Sequence, residues 1–430
     1  MAEQYEKKEL RQHIYDTPDT YVGGIDKINE VLPIYNENKI VFKEIEYIPA
    51  LLNIFNEILV NARDQIVRLQ GQEGSNIIQV SNVKINFNQD NSITILNDGN
   101  GIIVKEHEKE KIYIPQLIFG ELLTSSNYKK GEKRIVGGKN GYGAKLANIF
   151  SQEFTIETVD HINKLKYIQT WEKNMTKCNE PIIKKCQGKP YTKITWKCDF
   201  KRFELEKYSD DMINLMYRRI YDIAGITDKS ITVSLNDEKI KIKSFLDYIK
   251  LYNDSPNSLF QEIISDRWDV IFSVSHNDTF EQVSFVNGIC TSKGGSHVEC
   301  IAKQISNGII DFIKKKHKKD IKDKVIRRYM SLYINSVIEN PSFDSQTKER
   351  CITSQSKFGS KPVVSAKFIK KICDSGLSEK VLQFTDFKEN TLTKKTNGVK
   401  KSKLRDIPKL DDANFAGTRK AHLCTLILTE

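Results

Sequence analysis

Residues 50–69, ALLNIFNEILVNARDQIVRL, place apolar side chains at helical spacing with no Gly or Pro among them, which predicts one long helix. The period then changes. IIQVSNVKINF and SITIL alternate apolar and polar positions around NQDN, whose residues favour turns, and predict a β-hairpin. Its second strand runs straight into Asn97-Asp98-Gly99-Asn100-Gly101-Ile102. From 120 to 143 the chain is polar and glycine-rich, a long loop that ends on a predicted helix at 144–150. The alternating segments KLKYIQTWEK, YTKITWKC and KSITVSL, with a helical piece around 210–223, extend a mixed sheet across 155–245. Farther along, WDVIFSVS and VSFVNGI read as paired strands, and Gly294-Gly295-Ser296-His297 opens a helix to about Lys319. A strand at 330–338 and a helix near 365–373 complete a second α+β unit, and the apolar run 422–428 has the character of a buried strand. No internal repeat or long low-complexity linker interrupts this order.

Composition narrows the class. A chain of 430 residues exceeds what one core usually organises, so two domains are expected, with room for a third fragment. Its 39% hydrophobic content fits a globular protein, and no apolar run approaches the roughly 20 residues of a membrane span, so no membrane partner is expected. The opening MAEQYEKKELRQ is too charged for a signal peptide. Eight cysteines lie far apart with no C-x-x-C pair, against both a zinc knuckle and a disulfide framework, and read as reduced thiols of an intracellular protein. A net charge of +11 suggests a polyanionic partner, and the run from Lys314, Lys315 and Lys316 to Lys319 is its strongest local expression. The same run also suits a solvated helix face.

Three stretches carry candidate chemistry. Glu57, Asn61 and Asp64 stand at i, i+4 and i+7, on one face of an otherwise apolar helix. An Asn side-chain oxygen there can ligate a hard cation, and a carboxylate can take a proton from attacking water; solvent exposure or buried hydrogen bonding is the plainer explanation. Asn97-Asp98-Gly99-Asn100-Gly101 sets two glycines directly after a strand, where the backbone can approach a ligand or simply turn. Gly137-Gly138-Lys139-Asn140-Gly141-Tyr142-Gly143-Ala144-Lys145 puts four glycines before a helix, so that successive N–H groups can wrap a triphosphate. It is not a Walker A loop, which needs Lys directly after the last Gly and then Ser or Thr, nor a dinucleotide fingerprint, since Leu146 takes the place of the third glycine.

In this order the three stretches resemble the Bergerat ATP-binding fold of type II topoisomerases, heat-shock protein 90 chaperones, MutL proteins and sensor histidine kinases. Glu57 points toward hydrolysis, because histidine kinases lack a water-activating carboxylate there. The resemblance to eukaryotic-type, or large-DNA-virus, type IIA DNA topoisomerase II covers nearly the whole chain. It is carried by Thr17-Pro18-Asp19-Thr20-Tyr21, Glu57-Ile58-Leu59-Val60-Asn61-Ala62, Leu123-Thr124-Ser125-Ser126-Asn127-Tyr128 and Asn140 to Leu146. Phe285-Val286-Asn287-Gly288, Ser292-Lys293-Gly294-Gly295 and Ile338 to Glu349, with Gln346-Thr347-Lys348 inside it, complete the set.

That resemblance implies an α+β architecture: a Bergerat (GHKL) α/β sandwich with an N-terminal dimerisation arm over 1–240, then a transducer domain like ribosomal S5 domain 2 over 241–405. Residues 406–430 would be a linker and the first strand of a TOPRIM domain. It implies ATP and Mg2+ as ligands, with Glu57 the general base, Asn61 the magnesium ligand, Asn97 facing adenine and Asp64 supporting the pocket. Gly101, in the same turn, would belong to the nucleotide-binding set. Ser125, Ser126 and Asn127 would contact ribose and phosphates. Gly138, Lys139, Asn140, Gly141, Tyr142, Gly143, Ala144 and Lys145 would wrap the triphosphate, and Gln346 and Lys348 would meet the γ-phosphate. Tyr5 matches the arm residue that reaches the partner subunit's nucleotide. Double-stranded DNA is the implied partner, held through phosphates by Lys314, Lys315 and Lys316, and the implied assembly is an ATP-dependent homodimer. Glu430 would serve metal-dependent DNA cleavage in a full-length enzyme only. Arg63, Gln65, Lys139 and Ile103 depart from the family pattern, as peripheral changes. The richness in Lys, Ile and Asn suits an A·T-rich genome, with host cytoplasm expected for a viral enzyme and the nucleus for a cellular one. The competing readings are a chaperone- or MutL-type GHKL ATPase and a non-catalytic DNA-binding module; the Gln346-Thr347-Lys348 loop and the Ser292–Gly295 turn speak against a chaperone.

Overall fold

The structure, a computed structural model, describes residues 7–124, 134–138, 141–253, 258–275, 277–396, 413 and 415–427, with 388–396 as backbone. The chain divides into two compact units, 1–273 with 281–302 and 332–364, and 274–280 with 303–331 and 365–430.

In the first unit, α1 (Leu10–Asp16) and α2 (Pro18–Tyr21) precede a hairpin of β1 (Ile28–Asn36) and β2 (Lys39–Tyr47). The long helix α3 (Pro49–Leu69) matches the expected span and begins with Pro at its first position, where the missing N–H has no intrahelical partner to lose. The predicted hairpin is β3 (Asn82–Phe87) with β4 (Ser92–Asp98), joined through Asn91 at φ 63°. Its first strand starts five residues later than the alternation suggested. Side chains of the following turn hold that stretch instead: Asn100 Oδ1 accepts the Ile78 N–H at 2.7 Å and Asp98 Oδ1 the Ser81 N–H at 2.6 Å. Then come α4 (Ile114–Gly120), α5 (Gly143–Ile149), β5 (Ser151–Asp160), β6 (Leu165–Glu172), β7 (Lys177–Cys178), β8 (Ile182–Lys185) and β9 (Tyr191–Cys198). Helix α6 (Asp210–Ile226), capped by Ser209 Oγ accepting the Met212 N–H at 3.2 Å, leads to β10 (Thr232–Leu235) and β11 (Glu238–Lys239). The strands form one sheet in the order β11-β10-β3-β4-β9-β5-β6-β7, with β8 on β6. Helices α3, α5 and α6 pack together, and Phe55, Ile58, Leu59, Ile95, Phe154 and Trp196 lie in the core they share with the sheet.

The same unit holds α7 (Phe245–Ile249) and, but for Val274, Met330 and Ser331, a second sheet of β12 (Phe260–Ser265), β13 (Trp268–Val274), β14 (Glu281–Val286), β15 (Ile289–Cys290) and β16 (Met330–Ser336), ordered β12-β13-β16-β14-β15. Strands β13 and β14 are therefore not partners, contrary to the expectation. β16 runs between them, and its almost continuous burial is that of a strand covered on both faces. Helix α8 (Ser296–His317) follows the Gly294-Gly295 turn.

The second unit contains the rest of α8, α9 (Asp323–Arg327), α10 (Ala366–Ile372) and α11 (Ser378–Thr396). Gly308 on α8 lies against Ile369 on α10, where a Cβ would come within 2.9 Å. Gly376, at φ 90°, turns the chain between α10 and α11, which explains why the helical pattern faded at 373 although a helix resumes. Lys314, Lys315 and Lys316 are exposed on the last turn of α8, with Lys314 Nζ 2.8 Å from Asp320 Oδ1. The expected strand at 422–428 does not form in the described residues. Ala421–Leu423 is a 3-10 turn, 424–427 pairs with no strand among the described residues, and Leu426 and Ile427 are exposed. Glu430 lies outside the described residues. Among the described residues, no helix is long and apolar enough to cross a membrane, and all eight cysteines are free thiols.

Candidate functional site

A cavity of about 590 Å3 in the first unit gathers residues that are far apart in sequence. Glu57 and Asn61 enter it from α3, Asn97 from β4, Gly138, Gly141, Tyr142, Gly143, Ala144 and Lys145 from the glycine-rich segment, and Gln346 and Lys348 from the loop after β16. Ile95, Ile102, Phe119 and Ile194 give it an apolar wall. Tyr5, Ser125, Ser126, Asn127, Lys139 and Asn140 lie outside the described residues. Gly101 does not line the cavity; a Cβ there would sit 2.0 Å from the Val159 carbonyl oxygen, so its role in the fold is close backbone contact with β5.

Helical periodicity explains what α3 contributes. Glu57, Asn61, Gln65 and Arg68 all face the cavity, at i, i+4, i+8 and i+11. Gln65 and Arg68 extend a stripe that the sequence already contained, and Gln65 Nε2 reaches the Asn100 carbonyl at 3.3 Å. Asp64, at i+7, turns away from the cavity and is buried. Its Oδ1 and Oδ2 accept the N–H groups of Gly137 and Gly138, each at 2.9 Å, which ties the glycine-rich segment to α3. Burial pushes the Asp64 carboxyl above its ordinary value, while Arg63 and the two amides pull the other way. Arg63 is not peripheral. It is buried, and a Cβ on Gly288 would meet its side chain at 2.7 Å, so Gly288, at φ 80°, leaves the room this guanidinium occupies.

Gly143 approaches α3 even more closely, since a Cβ there would fall 2.1 Å from Glu57 Oε2. The glycine run thus lets the backbone come up against the carboxylate. Lys145 is buried on the next turn, with Nζ donating to the carbonyls of Thr124 and Gly141, both at 2.8 Å. Burial depresses its pKa to about 8.

In the turn after β4, Asp98 and Asn97 divide the work. Asp98 accepts from the backbone and side chains of both Ser81 and Asn82 at 2.6–2.8 Å. Burial pushes its pKa up, but those donors outweigh it and hold the carboxyl below its ordinary value. Asp98 is therefore committed to the turn, and Asn97, its neighbour in sequence, faces the cavity.

The loop that brings Gln346 and Lys348 is braced by two motifs whose purpose the sequence did not disclose. Asn287, fully buried, clamps Ile338 twice: its Nδ2 donates to the Ile338 carbonyl and its Oδ1 accepts the Ile338 N–H, both at 2.8 Å. The Gly294-Gly295 turn supports the return strand. Cys351 N–H donates to the Gly294 carbonyl at 3.0 Å, Ser296 N–H to the Cys351 carbonyl at 2.9 Å, and Lys293 Nζ meets Glu349 Oε2 at 2.7 Å. A Cβ on Gly295 would lie 2.1 Å from the Cys351 carbonyl oxygen. At the tip, Lys348 adopts a left-handed φ of 61°, uncommon for a residue with a side chain, and its Nζ donates to Glu57 Oε1 at 2.8 Å.

The described residues contain no group of three or more His, Cys, Asp or Glu side chains able to hold a metal by themselves. A single carboxamide oxygen beside a triphosphate is the donor set that suits Mg2+, which keeps waters and phosphate oxygens as most of its ligands, and Asn61 fits that part.

The sequence profile of the family described as DNA gyrase B matches residues 236–399. DNA topoisomerase 2 of Arabidopsis thaliana is 44% identical over 440 residues, covering 100% of this chain and 29% of that protein. The chain thus spans under a third of the length of such curated relatives. The crystal structure of the ATPase region of Saccharomyces cerevisiae topoisomerase II superposes with a TM-score of 0.84 at 41% identity, over 90% of this chain and 99% of that one. The ATPase and transducer domains of Balamuthia mandrillaris DNA topoisomerase II give a TM-score of 0.85 at 38% identity, over 90% and 99%. With this identity over the full length of a solved relative, the chain belongs to the DNA topoisomerase II family and aligns with its ATPase region.

Proposed function

We propose that the cavity binds Mg2+-ATP and hydrolyses it, and that this turnover drives a DNA gate in a longer enzyme. The observation that carries the reading is the approach of Lys348, from a loop nearly 300 positions away in sequence, to Glu57 at 2.8 Å beside the glycine-rich segment. Adenine stacks against the apolar wall with Asn97 at its edge. Backbone N–H groups of Gly138 to Lys145 cradle the phosphates, joined by Lys139, Asn140, Ser125, Ser126 and Asn127. Asn61 would hold Mg2+, which would supply charge neutralisation at the phosphates. Glu57 takes a proton from the attacking water as its oxygen bonds to the γ-phosphorus; the bond from that phosphorus to the bridging oxygen breaks, releasing ADP and inorganic phosphate. Lys348 and Gln346 stabilise the charge on the transferred group.

In this reading residues 1–240 are the nucleotide-binding domain and 241–405 the transducer. ATP brings two copies together, with Tyr5 crossing to the partner subunit's nucleotide, to capture a DNA duplex. Lys314, Lys315 and Lys316 touch its phosphates, so affinity should fall steeply with salt. Strand passage through a double-strand break belongs to the whole enzyme, where Glu430 would join the cleavage chemistry. The test of the ATPase reading is Glu57→Ala: it should bind ATP with Mg2+ as wild type does yet turn it over at least about 100-fold more slowly. Equal turnover by both proteins would overturn it.

A further inference from the structure

Lys348 and Gln346 stand where three cavities meet. One is the nucleotide cavity, one a narrow space of about 40 Å3 between Glu57 and Arg219, and one a side cavity of about 130 Å3. The side cavity lies between the segment 134–138 and the loop 340–348, and shares Gly138, Gln346 and Lys348 with the nucleotide cavity. The two segments are joined there by the Asn340 N–H donating to the Arg134 carbonyl at 2.8 Å.

Its lining has the chemistry of an anion site. Arg134 and Lys348, whose Nζ also meets Glu57 at 2.8 Å, line it with the polar residues Asn340, Ser345 and Gln346, and no carboxylate is among the described residues that line it. This contrasts with the nucleotide cavity, whose lining includes Glu57 and Glu110. At about 130 Å3 it has room for a small tetrahedral oxyanion.

We propose that this side cavity is a way-station for inorganic phosphate, reached past Lys348 from the terminal end of the nucleotide while ADP still fills the main cavity. The inference rests on the ATPase reading above. Lys348 hands the cleaved phosphate from the reaction position to Arg134, and the anion leaves on the side away from the base and ribose. Arg134 is thus a phosphate-binding residue of the product path, with no part in binding ATP or in the chemical step.

The experiment uses the 430-residue protein in three forms, wild type, Arg134→Gln and Arg134→Lys. Inorganic phosphate is titrated into each protein loaded with ADP while the melting temperature is followed, and phosphate release after a single turnover is timed with a fluorescent phosphate sensor against acid-quenched hydrolysis. Arg134→Gln should weaken the stabilisation by phosphate about tenfold in apparent affinity and slow release by a similar factor. The hydrolysis step and the KM for ATP should stay within about twofold of wild type, and Arg134→Lys, which keeps the charge, should recover most of the loss. Unchanged phosphate affinity and release in a folded Arg134→Gln protein that still hydrolyses ATP would overturn the way-station and leave the ATPase reading standing. A parallel rise in KM would overturn it too, by placing Arg134 on the nucleotide. Absence of hydrolysis in wild type would remove both, and only that result touches the ATPase reading.

Discussion

Replacing Lys348 by Met leaves the Glu57 carboxylate without its cation in a wall where the two side chains are 17% and 11% exposed. At 2.8 Å, with an effective dielectric constant of about 20, their direct attraction is about 6 kcal/mol. Desolvation of both groups offsets most of it, and a charge-assisted hydrogen bond of this kind leaves about 1.5–3 kcal/mol of net stabilisation. The clean measurement is a double-mutant cycle of wild type, Glu57→Gln, Lys348→Met and the double variant, each unfolded in urea and followed by tryptophan fluorescence. Trp171, Trp196 and Trp268 all lie in the first unit, so the signal reports the unit that holds the pair. The cycle should return a coupling near 2 kcal/mol, with Lys348→Met alone costing at least that much because it strands a carboxylate. A coupling below about 0.5 kcal/mol would mean that the loop does not engage the helix in solution, and the reasoning that joins Lys348 to Glu57 would fail.

Gly143→Ala places a methyl 2.1 Å from Glu57 Oε2, so the carboxylate must swing away; kcat should drop about 100-fold with the melting temperature little changed, and wild-type turnover would show that Glu57 has room to spare. Asp64→Asn keeps the shape but turns a donor toward one of the Gly137 and Gly138 amides, which should cost about 2 kcal/mol in urea unfolding; a neutral change would deny Asp64 its anchoring role. Lys145 has a folded-state pKa of about 8, below that of the unfolded chain, so its favourable contribution is present at high pH and is lost as pH falls through about 8. From pH 8 to 10 stability should therefore rise more steeply, by up to about 1.4 kcal/mol per unit, in wild type than in Lys145→Met, and identical slopes would contradict the burial argument.

How far the sequence could be read follows from the range of each interaction. Helix α3 and the β3–β4 hairpin were legible because their periods are local and strong, and with them the stripe that aims Glu57 and Asn61 at one cavity. The place of β16 between β13 and β14 was not, since pairing of strands distant in sequence leaves no local trace and its continuous burial reads the same for any central position. Asn97 and Asp98 show the same limit at the site. Both are polar residues at a strand end, and only the Ser81 and Asn82 donors decide that Asp98 is spent on the turn while Asn97 faces the cavity. The Arg63 departure looked peripheral because charged residues usually are; its burial against Gly288 depends on a turn more than 200 positions away. The run 422–428 failed in the opposite sense, an apolar pattern without a surface to bury it in the described residues.

Lys348 and Gln346 meet the terminal phosphate in the proposed site, so they should separate a triphosphate from a diphosphate. Binding of ADP and of a non-hydrolysable ATP analogue, each with Mg2+, should be measured by calorimetry for wild type and Lys348→Met. The variant should bind the analogue 10- to 100-fold more weakly, the order expected for a lost charge-assisted contact, and ADP as well as wild type does. An equal loss for both nucleotides, or none for either, would contradict this expectation.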